Sequence, residues 1–143
     1  MKQDVLVSIT GLYGQASEEG EAIELIVKGK YYKKNGKHFI FYDEMMSENQ
    51  IVTKNMVKIS DDCMEVTKKG EANTSMVFEK NKKNTILYSL PVGEILMGIS
   101  TEELTLKEEE KKLDVNVNYE VELDSTYCTR HQMHLEITEL PVV

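Results

Sequence analysis

The run Leu113-Asp114-Val115-Asn116-Val117-Asn118-Tyr119-Glu120-Val121-Glu122-Leu123 puts an apolar side chain at every odd position and a polar one at every even position. Successive side chains leave a strand on opposite faces, so this pattern predicts a strand with one dry face and one wet face. The same alternation runs outward from it. Val5, Val7 and Ile9 form the dry face of a first strand that ends at Gly11 and opens into a polar segment, 14–20, read as a loop or a short helical turn. Residues 23–34 and 37–43 flank Asn35-Gly36, the dipeptide best suited to the positive φ angles of a tight hairpin. Two more hairpins are expected, 51–60 with 63–68 around Asp61-Asp62, and 75–80 with 85–90 around 81–84. Pro91-Val92-Gly93 turns the chain into a strand over 94–101, and a last strand covers 130–140. Within the charged stretch 102–112, residues 105–112 are read as a hairpin tip or a short surface helix.

No window sustains a period near 3.6 between helix caps, so a βαβ arrangement with its phosphate-binding turns is not supported. The expected fold is all-β: an up-and-down antiparallel meander of about 8–10 strands closed into a barrel, which removes exposed edges, with a sandwich as the alternative. With 143 residues, 41% of them hydrophobic, a single domain over 1–143 is expected.

Charge and composition narrow the partners. A net charge of -8 repels phosphate backbones, and no lysine stripe with interleaved aromatics is present, so neither nucleic acid nor a membrane is expected as a partner. The first residues, Met1-Lys2-Gln3-Asp4, enter a strand pattern without the apolar run of a signal peptide, which makes the cytoplasm the expected location. Cys63 and Cys128 are then expected as free thiols. Arg130 is the only arginine.

The hairpin from Gly29 to Glu44, the segment Tyr88-Ser89-Leu90-Pro91-Val92-Gly93 and the following Met97-Gly98-Ile99-Ser100-Thr101 resemble the YwiB-like family of small bacterial proteins, common in Firmicutes. That resemblance implies a calycin-type (lipocalin-like) β-barrel with an internal cavity, and no established function. Family members often carry an arginine just before a glycine where this chain has Lys68-Lys69-Gly70.

Strand parity selects the inward polar groups. Lys54 and Lys58 mark the wet face of 51–59 and turn Thr53 and Asn55 inward, where an asparagine needs a backbone, water or ligand partner. Tyr88 and Thr101 share faces with Ile86, Leu90, Ile95, Met97 and Ile99, and Tyr119 lies among the valines. In the last strand His131 falls with Met133, Leu135 and Ile137, while His134 and Glu136 take the opposite face. Cys128, His131 and His134 therefore cannot converge on one ion, and no metal or other cofactor is expected. No catalytic residue is assigned: neither cysteine has a histidine and acid at a useful spacing, and Ser89 lies outside a Gly-x-Ser-x-Gly elbow.

Three functions remain. The first is a cytoplasmic binding protein holding a small apolar or amphipathic ligand, oriented by Thr53, Asn55, Tyr88, Thr101, Tyr119 and His131. The second is an interaction module or homodimer using exposed rows of the first hairpin, Tyr31-Tyr32 and His38, Ile40, Tyr42, with the outer apolar face covered by a partner or by 14–20. The third, an enzyme using His131 with Arg130, is the least supported, and the protein is expected not to be an enzyme.

Overall fold

The computed structural model describes residues 1–12, 24–46, 51–70, 73–90 and 93–140. The alternating run becomes a strand, Lys112–Leu123, whose odd positions from Leu113 to Val121 are buried. Nine further strands accompany it among the described residues. In chain order they are β1 (Asp4–Thr10), β2 (Glu24–Lys34), β3 (Lys37–Met46), β4 (Ile51–Ile59), β5 (Cys63–Lys69), β6 (Thr74–Glu79), β7 (Lys82–Leu90), β8 (Gly93–Glu108), β9 (the opening run) and β10 (Tyr127–Glu139). Asn35 (φ 54°) and Gly36 (φ 75°) make the β2–β3 turn, as the dipeptide requires.

All pairings are antiparallel, in the order β6-β5-β4-β3-β2-β1-β10-β9-β8-β7. The first and last strands pair from Val5↔Glu139 to Thr10↔His134, so the meander curls into a nearly closed barrel. The remaining gap lies between β6 and β7. These were expected to form a hairpin, yet they share no ladder among the described residues. The turn explains why: the Lys80 N–H donates to the Asp62 carbonyl (3.1 Å) and the Asn81 N–H to the Thr101 carbonyl (2.9 Å), so neither amide ties β6 to β7. No described helix is long and apolar enough to cross a membrane.

Because direction alternates, the connections β1–β2, β3–β4, β5–β6, β7–β8 and β9–β10 lie at one end, here the loop end. The opposite end holds the β2–β3, β4–β5, β6–β7 and β8–β9 turns. Gly11 closes the loop end of β1 at φ 81°, and a Cβ there would stand 2.0 Å from the Gln132 carbonyl oxygen. Only glycine fits.

Inside, Val7, Ile9, Ile40, Val57, Val66, Met76, Met97, Val115, Leu135 and Ile137 are buried, and each fully buried aliphatic side chain contributes about 1.5–3 kcal/mol. Phe78 of β6 and Tyr119 of β9, both buried, meet edge-to-face at 4.8 Å.

Two further expectations are corrected. The charged stretch 102–112 is neither a helix nor wholly a tip, because β8 continues to Glu108. A bulge between Thr101 and Glu103 shifts its parity, turning Leu104 inward, and this offset hides the alternation from a reading of period 2. In the first hairpin, His38, Ile40 and Tyr42 face the core rather than a partner. Phe39 and Phe41 take the outer face, where exposed Phe41 meets Tyr32 edge-on at 5.8 Å. The segment 14–20, expected as a cover for that face, lies outside the described residues.

Candidate functional site

Directly opposed residues share a face, so register alone assembles the polar interior. Tyr42, Asn55, Lys68 and Thr74 form one continuous row across β3, β4, β5 and β6, and Glu44 opposite Thr53 lies one step nearer the loop end. Two of the six candidate residues, Thr53 and Asn55, belong to this set. Tyr42, Glu44, Lys68 and Thr74 were not singled out from sequence, though the signal existed: Lys68 shares parity with Met64 and Val66, and Glu44 with Ile40 and Tyr42.

At the centre is a largely buried ion pair. The Lys68 Nζ lies 2.8 Å from Glu44 Oε1, with side chains 12% and 14% exposed. Asn55 donates through Nδ2 to the same carboxylate oxygen (3.3 Å) and to the Thr53 carbonyl (3.2 Å). Among the described residues its Oδ1 has no hydrogen-bond partner, and neither do Tyr42 Oη or Thr74 Oγ1, all three being buried. Burial first, and the Glu44 charge second, push the Tyr42 hydroxyl well above the ordinary tyrosine range, so it is a neutral donor at physiological pH. Gly70 lets its strand close on Thr53, since a Cβ would stand 2.6 Å from Thr53 Oγ1. Lys69, immediately before Gly70, is exposed, so the inward cation is Lys68.

The other candidates gather on the opposite wall. Thr101, Tyr119 and His131 are cross-strand neighbours on β8, β9 and β10. Tyr119 donates to the Gly11 carbonyl (2.8 Å) and stacks on the His131 ring at 5.3 Å. His131 Nε2 and Thr129 Oγ1 are hydrogen-bonded at 2.7 Å, and burial lowers the His131 pKa, favouring the neutral ring. Thr101 Oγ1 is buried without a partner among the described residues, and Tyr88 is half-buried on β7. Cys128 is exposed with its Sγ towards Glu120, so Cys128, His131 and His134 do not converge.

At the far end, His38 is 2% exposed and its Nδ1 is hydrogen-bonded to the Tyr31 hydroxyl at 2.6 Å. Its Nε2 faces Glu108 at 3.8 Å, and Glu108 pairs with Lys33 at 2.9 Å.

With this geometry in place, the chain can be set beside known proteins. A family model described as "Domain of unknown function (DUF1934)" matches residues 7–135. The chain belongs to that family. DUF1934 as a description assigns no activity, and no curated protein matches the chain. The crystal structure of the ywiB protein from Bacillus subtilis is similar, with a TM-score of 0.77 at 20% identity, covering 97% of this chain and 93% of that one. At that identity the likeness carries the fold, a YwiB-like barrel, and leaves the chemistry of this DUF1934 member to its own residues.

Proposed function

We propose that the barrel is a cytoplasmic binding protein that takes a small amphipathic ligand into its lumen, without a cofactor and without chemical turnover. One observation carries this reading: three buried oxygens, on Tyr42, Asn55 and Thr74, lie on a single cross-strand row with no partner among the described residues, beside the Lys68–Glu44 pair. A buried polar group left unmatched costs about 1–3 kcal/mol, so three on one row favour a bound group that satisfies them. Asn55 Oδ1 and Glu44 ask for a donor, and Lys68 and the Tyr42 hydroxyl offer hydrogen bonds to an acceptor. A head group carrying both, such as an amide or a hydroxy acid, matches the row. Val57, Val66 and Met76 of the neighbouring row take the apolar part. Thr101, Tyr119, His131 and Tyr88 line the opposite wall, and the unladdered β6–β7 seam, with Thr74 at the start of β6, offers a lateral entrance.

A second reading rests on the outer wall of β2–β4, where Ile26, Tyr32, Phe41, Met45 and Val52 are exposed and would suit a homodimer. Native mass spectrometry of protein purified from its own host separates the two. The expected result is a stoichiometric companion of the monomer that is released on denaturation and absent from Asn55→Leu. A bare dimer supports the outer face instead, and a bare monomer overturns both.

A further inference from the structure

We propose that Asp114, His134 and Glu136, on the outer face of β9 and β10, form a binding site for a divalent transition-metal ion. This trio is separate from the polar row in the lumen; it shares only His134 with the Cys128, His131, His134 set, whose other two members do not join it.

The backbone brings the ligands together. His134 and Glu136 stand two apart on β10 and so project from the same face, and Asp114 of β9 is the direct cross-strand partner of Glu136. One ligand atom from each lies within 4.8 Å of the others, and His134 Nε2 is already 2.9 Å from Asp114 Oδ1. Ligands bound to one ion at about 2.0–2.2 Å stand roughly 3–3.5 Å apart, so a small rotation of Glu136 closes the set. Asn116 donates to Asp114 Oδ1 at 3.3 Å and steadies it. Two paired strands supply all three Cβ positions, so little backbone order has to be created on binding.

A second observation points to a cation. The Lys112 ammonium lies 3.7 Å from Asp114 Oδ2 and 3.6 Å from Glu136 Oε1, placing a positive charge between the two carboxylates. Its flexible stem can swing into solvent, whereas an ion adds what the ammonium lacks, a bond to the imidazole. The site is thus held by a lysine that a metal displaces. One imidazole and two carboxylates suit Zn2+ or Mn2+ better than the thiolate-seeking ions, and three protein ligands leave coordination positions open to water. Ser8 and Thr10 of β1, opposite Glu136 and His134, flank that open side.

The test is calorimetric titration of the full chain with zinc chloride, repeated with manganese chloride while following paramagnetic broadening of the His134 ring signals. One equivalent should bind with selective broadening of His134. Asp114→Asn and His134→Ala should each weaken binding by at least about tenfold, the loss that removing even an outer partner of a metal ligand brings. Lys112→Met should tighten it, because it removes the positive charge that competes with the ion for Asp114 and Glu136. Glu136→Gln replaces either ligand variant if circular dichroism shows that variant unfolded. Absence of saturable binding, affinity unchanged in the ligand variants, or weakening by Lys112→Met would each overturn the site.

Discussion

Among single residues, Lys68 and Glu44 have the most at stake. Their pair is held in the barrel wall at 2.8 Å, where a lone charge is poorly solvated. Lys68→Met, measured by urea unfolding, is expected to cost about 3–5 kcal/mol, and a Glu44→Leu, Lys68→Met double variant to recover most of it, since matched apolar replacement removes both desolvated charges. His38 sets a second dependence. Burial lowers its pKa, with the Glu108 charge opposing, so the folded protein resists a proton that the unfolded chain accepts near the ordinary value of about 6.5. Its contribution is therefore full above that value and is lost as the pH falls below it. The urea midpoint should drop between pH 7.5 and 5.5, and His38→Gln should flatten the drop, leaving the share of His131, whose pKa burial also lowers. Residues such as Asn55 and His131 were readable from parity because neighbours on their own strands mark the wet face. Glu44 and Lys68 were not read, because charged side chains are usually placed outside, and only the pairing of β3 with β4 and β4 with β5 shows that each supplies what the other needs.

For elements, β9 and β10 were legible because both faces alternate without interruption, and the β2–β3 turn because Asn35-Gly36 carries its own geometry. The extension of β8 was hidden by a single bulge, and the separation of β6 from β7 was hidden because strand periodicity does not say to which neighbour a turn's amides will donate. That separation has a measurable effect. The backbone groups of β6 and β7 that face the seam lack the ladder partners their other edges have, so in native-state hydrogen exchange they should lose protection first among the described strands. The central amides of β9, paired on both sides by β8 and β10, should be the last. Uniform protection across the seam would show the barrel to be fully laddered in solution.

At the level of the whole molecule, composition and periodicity reached the barrel, but closure depends on which edges meet, and that is a property of pairing rather than of any one segment. The order places β1 and β10 side by side, so the described strands form two curled ribbons, β1 to β6 and β7 to β10, joined along the β1–β10 ladder. Within each ribbon every pairing is between consecutive strands and closes a short loop, whereas Val5 meets Glu139 only after almost the entire sequence has been drawn into place. Loop closure over that distance carries a larger entropic cost than any single hairpin. Assembly of each ribbon is thus expected to be fast and local, with the docking of β1 on β10 as the slow, concluding event.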